Sequence, residues 1–319
     1  MAKQQTQTTL TNAENAGALT APKISVVIPS YNPGEDIKRC LSSVLAQQTR
    51  VPYEVIVVDS SEKDFTAEWQ NAFPSVYFIH LNQRAFPGTA RNLGAREASG
   101  EFVTFTDTDC VIDAQWVEEI WQAHQRGYEV VGGSVDNGTP DSYVGTAEYL
   151  LEFNEMNPWM PGREVQALPS CNLSIHKKIF KKCGYLEDAE KGSDTLFCVK
   201  VTSHGFKIYF TPKAIVTHRN RRVREKYLDN QRALGRGSAG IRMKTNRPGA
   251  FLTKFPFLIP LIPALRSLAI GKRLLHSRLS LLGKFCWHYP LIFAGLWTYT
   301  SGFWEGYRKA KRRSNGVVD

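Results

Sequence analysis

The sequence predicts an α/β fold in which helices flank a parallel, doubly wound sheet, followed by a helical, hydrophobic extension at the C-terminal end. Short β-branched runs alternate with helix-like periodicity in the first third of the chain, which is typical of consecutive βαβ units. Polar residues stop several of these runs, as expected at the carboxyl ends of buried parallel strands. A long uncharged stretch late in the chain predicts the extension.

The predicted elements follow one another in a regular order. The runs at Ile24 to Pro29 and Glu54 to Val58 are short and β-branched, so both are interpreted as buried strands. Between them, apolar residues from Ile37 to Leu45 recur at helical spacing, and Glu35 and Asp36 suit the first turn of a helix. The next predicted elements are a strand at Val76 to Ile79, a helix at Arg91 to Ala98 and a strand at Glu101 to Phe105.

Three polar segments follow these strands: Ser30-Tyr31-Asn32, Asp59-Ser60-Ser61 and Asp107-Thr108-Asp109. In a doubly wound sheet they line one edge, where such folds bind ligands. Asp107 and Asp109 are two residues apart, so in extended backbone both face the same side. Paired carboxylates suit Mg²⁺ or Mn²⁺, which take oxygen ligands and leave positions for phosphate oxygens. The same residues also suit a solvated loop or a helix cap, so the motif gains meaning only from its context.

The formal net charge of +10 predicts affinity for something acidic, and nucleotides, anionic lipid surfaces and nucleic acid all qualify. The six cysteines form no Cys-x-x-Cys pair, which argues against a zinc site or a disulfide framework and favours a reducing compartment. No Gly-x-Gly-x-x-Gly follows the first strand, which argues against a nicotinamide dehydrogenase. Residues 1–22 lack the pattern of a signal peptide and are predicted to be a disordered tail.

Four segments together resemble the nucleotide-binding half of family 2 glycosyltransferases of the inverting, bacterial type. They are Ile24-Ser-Val-Val-Ile-Pro-Ser-Tyr-Asn32, Val57-Val-Asp-Ser-Ser61, Gly88-Thr-Ala-Arg-Asn-Leu-Gly94 and Phe105-Thr-Asp-Thr-Asp109. Each is weak alone, but their order and spacing match the family, and the similarity covers roughly residues 23–220. The resemblance implies the A-type glycosyltransferase fold. This is a single Rossmann-like domain with a mostly parallel central sheet, and it binds a nucleoside diphosphate sugar through Mn²⁺ or Mg²⁺.

The resemblance also implies roles for individual residues of the donor site. Pro29, Ser30 and Tyr31 would flank the base, Asp59 would hold the base or ribose, Arg91 would lie near the diphosphate, Asp107 would contact the ribose, and Asp109 would bind the metal. Two alternatives stay open from the residues themselves: Asp59 can cap the next helix, and Arg91 can be a surface residue of its helix. Where many family members have a second acid after Asp59, this chain has Ser60, which argues against assuming a uracil base.

In the second half of the resemblance, Asp194 maps onto the catalytic base, with Ser193 where the family commonly has Glu. An acceptor hydroxyl must lose a proton as it attacks the anomeric carbon, and a carboxylate within hydrogen-bond reach can take it. Asp194 also suits the N-terminal cap of a helix, and one residue can serve both purposes. His218 ends a predicted strand where some A-fold enzymes have a further metal ligand, although an ordinary strand-end histidine fits equally.

The segments from Gly205 to Pro212 and from Ala214 to His218 predict two strands, and a basic helix follows from Arg219 through Arg236. A solvated helical face would explain the charge of this helix, but its position favours Arg222 or Arg236 reaching the leaving diphosphate. The Gln-x-x-Arg-Trp sequence of the family's processive members does not occur in this region, which favours transfer of one sugar over chain synthesis.

The C-terminal region contains two uncharged stretches. Phe255 to Leu265 is short and has three prolines, so it is a poor spanning helix. Phe285 to Trp304 is 20 residues long without Asp, Glu, Lys or Arg, just long enough for a single transmembrane helix. Its glycines, hydroxyls and Pro290 favour instead a segment at the membrane interface or packed on the domain. Arg308 to Arg313 would then face anionic lipid on the cytoplasmic side.

The sequence therefore predicts a disordered tail at 1–22, a catalytic domain at 23–245 and a helical membrane-proximal extension at 246–319. The catalytic domain divides near residue 132 into a nucleotide half and an acceptor half. The expected function is inverting transfer of one sugar from a nucleoside diphosphate sugar to a hydroxyl of a glycan or lipid-linked acceptor, in cell-surface polysaccharide synthesis at the inner face of the plasma membrane. The alternative is an inactive basic module that binds a membrane surface or nucleic acid, but no nucleic-acid motif occurs and no such partner is expected.

Overall fold

The computed structural model describes residues 21–314, so residues 1–20 of the predicted tail lie outside the described part of the chain. Its strands are β1 (Ile24–Ser30), β2 (Tyr53–Asp59), β3 (Val76–His80), β4 (Phe102–Phe105), β5 (Cys110–Ile112), β6 (Val130–Asn137), β7 (Arg163–Val165), β8 (Leu173–His176) and β9 (Ile208–His218). Its helices are α1 (Asp36–Leu45), α2 (Thr66–Ala72), α3 (Pro87–Glu97), α4 (Trp116–Gln125), α5 (Tyr143–Glu152), α6 (Lys177–Cys183), α7 (Ser193–Ser203), α8 (Arg224–Lys244), α9 (Phe251–Lys254), α10 (Ile262–Ser277) and α11 (Leu279–Ser314). Short 3₁₀ helices occur at Ser170–Asn172 and Pro256–Leu261.

All the strands belong to one sheet, in the order β3-β2-β1-β4-β8-β6-β9-β5, and β9 also pairs with β7. In the first half of this order, from β3 to β4, every pair is parallel. Val26 and Ile28 of β1 pack into the same core cluster as α1, whereas Val27 packs into the cluster that contains residues of α3. Alternate side chains of one strand therefore face helices on opposite sides of the sheet, which confirms the predicted doubly wound arrangement.

The second half of the sheet is mixed. β8 runs antiparallel to both β4 and β6, and β9 runs parallel to β6 but antiparallel to β5 and β7. The prediction of two strands at 205–212 and 214–218 is wrong, because β9 is one continuous strand of 11 residues. Its pairing with β6 jumps from Thr211 to Ile215, and the Asn172 side chain donates to Ala214 O at 2.9 Å within the gap. This irregularity contains Pro212 and makes one strand resemble two in the sequence.

The C-terminal helix α11 packs along α8 with almost no space between the two backbones. A Cβ atom added to Gly302 would lie 2.0 Å from Arg232 O, and one added to Gly235 would lie 2.1 Å from Tyr299 O. Only glycine allows this approach, so the two helices form one rigid layer. The other side of α11 is open, and Trp287 and Trp297 expose 74% and 46% of their surface. Among residues 21–314, no helix has both the length and the apolar character required to cross a membrane.

Candidate functional site

A cavity of about 460 Å³ lies where β4 and β9 end and α7 begins, and it is called the central cavity below. Its lining includes Arg91, Asp107, Asp109, Asp194, His218 and Arg221. Five of these six residues were predicted as site residues from the sequence, although they come from segments that are far apart in the chain. The fold therefore brings the predicted metal-binding, diphosphate and proton-transfer groups into one space.

Arg91 and Asp107 form an ion pair on one side of the central cavity. The helix that carries Arg91 lies directly on β1, since a Cβ atom at Gly94 would lie 2.3 Å from Val27 Cγ1. Arg91 is only 4% exposed, so the interpretation as a surface helix residue is wrong. Its Nε atom is buried and has no hydrogen-bond partner within the described chain. A buried unsatisfied donor is costly, and a ligand oxygen would satisfy it.

Asp109 and His218 meet on another side of the cavity. β5 and β9 pair with Cys110 opposite His218, and this register brings His218 Nε2 to 3.6 Å from Asp109 Oδ2. His218 Nδ1 lies 3.0 Å from Asn220 Oδ1. Because an amide oxygen only accepts, Nδ1 is the donor in this contact. This second bond is the arrangement that orients histidines in metal sites.

The Asp109 carboxylate and the His218 ring fit a divalent cation. Asp109 exposes 42% of its side chain, and that surface lines the cavity. Desolvation within the cavity raises the pKa of Asp109, while His218 opposes this and Asp107 adds to it. Among the described residues no group of three or more His, Cys, Asp and Glu side chains is placed to hold a metal. A site with few protein ligands is typical of Mg²⁺ and Mn²⁺, which complete their coordination with water and substrate phosphate.

Asp194 lies in the first turn of α7, facing the central cavity. The N-cap of this helix is Gly192, which has a left-handed φ of 84°, so the prediction of Asp194 as the cap residue is not what the structure shows. Asp194 Oδ2 accepts from Ser170 N at 3.2 Å, and Oδ1 accepts from Thr195 N at 2.6 Å. Backbone donors from two elements thus orient the carboxylate.

Neither Arg222 nor Arg236 lies among the residues that line the central cavity, so the expectation that one of them reaches the diphosphate is wrong. Arg222 forms a bidentate ion pair with the exposed Asp141, in which Nη1 and Nη2 each lie 2.8 Å from a carboxylate oxygen. Arg236 pairs instead with Glu305 on α11 at 3.4 Å. Arg222 precedes α8, which begins at Arg224, five residues later than predicted, so its side chain is not on the predicted helical face. Arg236 lies within α8 on the side that contacts α11.

Arg221 is the basic residue that the structure places on the cavity instead. Its backbone N and its Nη1 donate to the two oxygens of Glu148, at 2.6 and 2.7 Å, and Glu148 is fully buried. This pair holds the chain before α8 in a non-helical path. Glu152 lies one turn after Glu148 on α5, and its carboxylate accepts from Gln231 Nε2 at 2.6 Å. Burial raises the pKa of Glu152 to about 7, and Glu148 reinforces the shift.

Sequence reasoning missed Arg221, Glu148 and Glu152. The available signal was the spacing of the two glutamates, four residues apart in a segment that is otherwise largely apolar. Acids at that spacing on a buried helix face require partners, and five arginines lie between residues 219 and 232. Which arginine pairs with them depends on where α8 begins, and that boundary was predicted too early.

Asp59 forms a separate cluster at the ends of β1 and β2. It is 3% exposed, and its carboxylate accepts from Ser30 Oγ and Ser61 Oγ at 2.7 Å and from Ser61 N at 3.1 Å. His80 Nδ1 lies 3.1 Å from Oδ2 of this carboxylate, the oxygen that also accepts from Ser61 N. The carboxylate therefore joins three strand ends, and it does not cap α2, whose N-cap is Phe65.

The residues predicted to hold the base lie apart from the central cavity. Pro29, Ser30, Tyr31 and Asp59 are not among the residues that line it. The guanidinium of Arg84 lies 4.4 Å from the centre of the Tyr31 ring, on the ring face. The roles given to these four residues stay predictions.

The chain matches a known protein family. The model of the family described as glycosyl transferase family 2 matches residues 25–189, which is more than half of the chain. The chain belongs to glycosyl transferase family 2. The family predicted from the sequence is therefore confirmed.

Two curated glycosyltransferases are similar over long stretches. Glycosyltransferase AglE of Haloferax volcanii is 29% identical over 231 residues, covering 70% of this chain and 75% of that protein. Glycosyltransferase GlyG of Streptococcus pneumoniae is 31% identical over 177 residues, covering 50% of this chain and 58% of that protein.

A solved structure is similar over most of the chain. The mannosyltransferase PcManGT of Pyrobaculum calidifontis, in complex with GDP-Man and Mn²⁺, aligns with a TM-score of 0.58. The identity is 16%, and the alignment covers 89% of this chain and 88% of that one. The predicted A-type glycosyltransferase fold is confirmed by this likeness and by the family match.

Proposed function

We propose that this family 2 glycosyltransferase is a metal-dependent, inverting enzyme that moves one sugar from a nucleoside diphosphate sugar to a hydroxyl of an acceptor, for cell-surface polysaccharide synthesis. One observation supports the proposal most: the central cavity contains both an Asp109–His218 pair suited to a divalent cation and an oriented carboxylate, Asp194. Inverting transfer needs these two elements, one at the leaving group and one at the attacking hydroxyl.

In this mechanism the acceptor hydroxyl oxygen attacks the anomeric carbon while the bond from that carbon to the diphosphate oxygen breaks. The transition state has oxocarbenium character, and the configuration at the carbon inverts. Asp194 accepts the hydroxyl proton, and the two backbone donors that hold its carboxylate aim it at the reacting atoms. The electron pair of the broken bond leaves on the diphosphate.

Cationic groups of the chain stabilise the leaving diphosphate. Arg221 keeps its guanidinium at the cavity while paired with Glu148, and Arg91 has an unused Nε donor there. Asp109 and His218 would hold Mn²⁺ or Mg²⁺, which when bound supplies positive charge to the diphosphate oxygens. The mannosyltransferase PcManGT, which shares the fold, was solved with GDP-Man and Mn²⁺, and this supports the choice of donor class and metal.

The nucleoside is proposed to lie toward β1 and β2, beyond the central cavity. Asp107 would contact the ribose, Asp59 the base or ribose, and Pro29, Ser30 and Tyr31 would flank the base. The four hydrogen-bond donors around Asp59 preorganise that end of the sheet. We also propose the division into a catalytic domain at 23–245 and an extension at 246–319.

The proposal is tested with purified protein, Mn²⁺ or Mg²⁺ and a panel of nucleoside diphosphate sugars. One donor should raise the melting temperature, because it binds only the folded state, and should be hydrolysed slowly in a metal-dependent manner. The variant Asp194→Asn should lose about 10²–10⁴-fold in turnover while donor affinity is retained.

The matched control is Asp141→Asn, the same change at an exposed carboxylate outside the central cavity. Unchanged turnover in Asp194→Asn would rule out its role as base. If no donor binds or is hydrolysed by the wild-type protein, the proposed function is wrong.

A further inference from the structure

A second cavity, of about 600 Å³, adjoins the central cavity and is called the side cavity below. Glu152, Asp194 and Tyr299 line both cavities, so the two form one continuous cleft that passes the Asp194 carboxylate. The volume of the side cavity is typical of small-molecule binding sites. Its position places its occupant on the acceptor side of the reacting centre.

Apolar side chains of α9 and α10 form one wall of the side cavity: Phe251, Leu252, Ile262, Leu265 and Ile270. Phe251 and Leu265 are each 45% exposed, so the wall continues to the protein surface. Leu268, which follows Leu265 on α10, is 72% exposed. A hydrocarbon chain can therefore lie along this wall and extend toward Leu268 at the surface.

Three arginines stand where the two cavities join: Arg242, Arg247 and Arg266 line both. Their partners in the described chain are neutral, because Arg242 Nε donates to Pro248 O at 2.9 Å and Arg247 Nη1 donates to Gln166 O at 3.5 Å. The Arg266 guanidinium lies 4.2 Å from the centre of the Tyr299 ring.

The Nη1 atom of Arg266 is buried and has no hydrogen-bond partner among the described residues. A buried donor atom without a partner costs stability, and an anion bound beside the Arg266 guanidinium would offset that cost. Guanidinium groups pair most strongly with phosphate and carboxylate oxygens. The junction therefore has the chemistry of a phosphate site beside an apolar wall.

We infer that the side cavity binds the acceptor, and that this acceptor is a sugar linked through phosphate to a lipid. Its phosphate contacts Arg242, Arg247 and Arg266, and its hydrocarbon chain lies along α9 and α10. The inference rests on the proposed function, since it assigns the sugar hydroxyl to Asp194. That hydroxyl oxygen bonds to the anomeric carbon, the diphosphate leaves with the electron pair, and the proton passes to Asp194.

A free glycan matches this cavity less well. Glycan hydroxyls are neutral and polar, so they would leave the three guanidinium groups without charged partners and would place polar groups against Leu252 and Ile262. A phosphorylated lipid satisfies both surfaces at once. The exposed apolar residues beside the opening also fit a ligand that is delivered from a lipid phase.

Binding to the full chain can be measured by titration calorimetry with four probes: farnesyl phosphate, farnesyl diphosphate, farnesol and inorganic phosphate. The two phosphorylated lipids should bind at least about tenfold more tightly than farnesol or inorganic phosphate, because only they engage both the arginines and the apolar wall. The titrations are run without nucleotide and, where hydrolysis has identified a donor, also with its nucleoside diphosphate at saturation, so that binding of the probes in the central cavity is distinguished from binding in the side cavity.

Two variants separate the parts of the site. Arg266→Gln should weaken farnesyl phosphate binding about tenfold, and Leu265→Glu should weaken it by a similar factor through the apolar wall. Their matched controls are Arg222→Gln and Leu279→Glu, which change the same residue types at exposed positions that do not line the side cavity. Both controls should bind farnesyl phosphate like the wild-type protein.

Equal binding of farnesol and farnesyl phosphate would overturn the inference, and so would equal binding of inorganic phosphate. The inference is also overturned if Arg266→Gln and Leu265→Glu bind farnesyl phosphate as tightly as their controls do. Donor hydrolysis in the same preparations separates the two proposals. Hydrolysis without lipid phosphate binding overturns only this inference, whereas lipid phosphate binding without hydrolysis of any donor supports the side cavity and contradicts the proposed function.

Discussion

Two walls of the catalytic cleft differ in how their charges are matched. The wall at the strand ends holds Arg91 with Asp107 and His218 with Asp109, so each charged group lies near a group of the opposite character. The wall formed by helices holds Arg242, Arg247 and Arg266, whose partners are carbonyl, hydroxyl and ring groups.

The difference indicates what each wall is built to receive. A wall with matched charges is organised before any ligand arrives, and it can hold a metal and a diphosphate with little rearrangement. A wall whose guanidinium groups have no carboxylate within ion-pair distance favours an anionic ligand. Three basic residues of the chain, Arg242, Arg247 and Arg266, thus lie together where the two cavities join.

The largest effect should come from breaking the strand-end wall at Asp109. Asp109→Asn keeps the shape of the side chain but removes the charge that attracts a divalent cation. We expect metal-stimulated donor hydrolysis to fall at least about 100-fold. Turnover is measured against Mn²⁺ concentration, with Asp113→Asn, a nearby exposed acid, as the control. Metal stimulation equal to that of the wild-type protein would show that Asp109 is not a ligand.

A second test concerns Glu152, which lies between the two walls. Its pKa of about 7 exceeds the ordinary value of 4.5, so the folded state binds its proton more tightly than the unfolded state does. This contribution to stability is fully present below about pH 4.5 and is lost as the pH rises through about 7. Glu152→Gln keeps the acceptor for Gln231 without the charge.

The variant Glu152→Gln should therefore match the wild-type protein near pH 4.5 and exceed it at pH 8, by on the order of 2 kcal/mol in the free energy of unfolding. Urea unfolding at the two pH values gives the difference. A constant difference at both values would mean that Glu152 does not titrate in this range.

A smaller effect is expected from His218. His218→Gln removes the ring nitrogen that faces Asp109 but leaves the carboxylate in place. The Mn²⁺ concentration for half-maximal activity should rise roughly tenfold, whereas maximal activity at saturating metal should change little. An unaltered metal requirement would instead support the interpretation of His218 as an ordinary strand-end residue.

The smallest effect should come from Arg222, which belongs to neither wall. Its pair with Asp141 is exposed, and such pairs contribute little because water and salt screen them. Turnover of Arg222→Gln should stay within about twofold of the wild-type value. A loss comparable to that of Asp109→Asn would mean that the strand-end wall extends further than the central cavity indicates.

The strand-end wall was predictable because its residues occupy short, local patterns. Asp107 and Asp109 follow the buried strand β4 at a spacing of two, and Asp59 ends β2, which β1 separates from β4 in the same parallel part of the sheet. Parallel pairing brings such ends to one edge regardless of what the loops do. The sheet order in the first half and the residues at its carboxyl edge therefore followed from periodicity and motif order.

The helical wall was not predictable in the same way. Arg242, Arg247 and Arg266 come from α8, the following loop and α10, and in the sequence each looks like part of a solvated basic face. Arg221 reached the cavity because Glu148, 73 positions earlier, binds its backbone and side chain. Contacts between distant elements decide such positions, and the spacing of Glu148 and Glu152 indicates only that these acids need partners, not which arginine supplies them.

The close approach of α8 and α11 has a practical consequence for anyone who shortens the protein. Every sequence motif of the donor half precedes α8, so a version cut before residue 279 would keep all of them. It would lose Tyr299, on whose ring Arg266 rests, and would uncover the glycine surface of α8. The inactivity of such a fragment would therefore not test the motifs, because the cut also removes Tyr299 from the lining of both cavities.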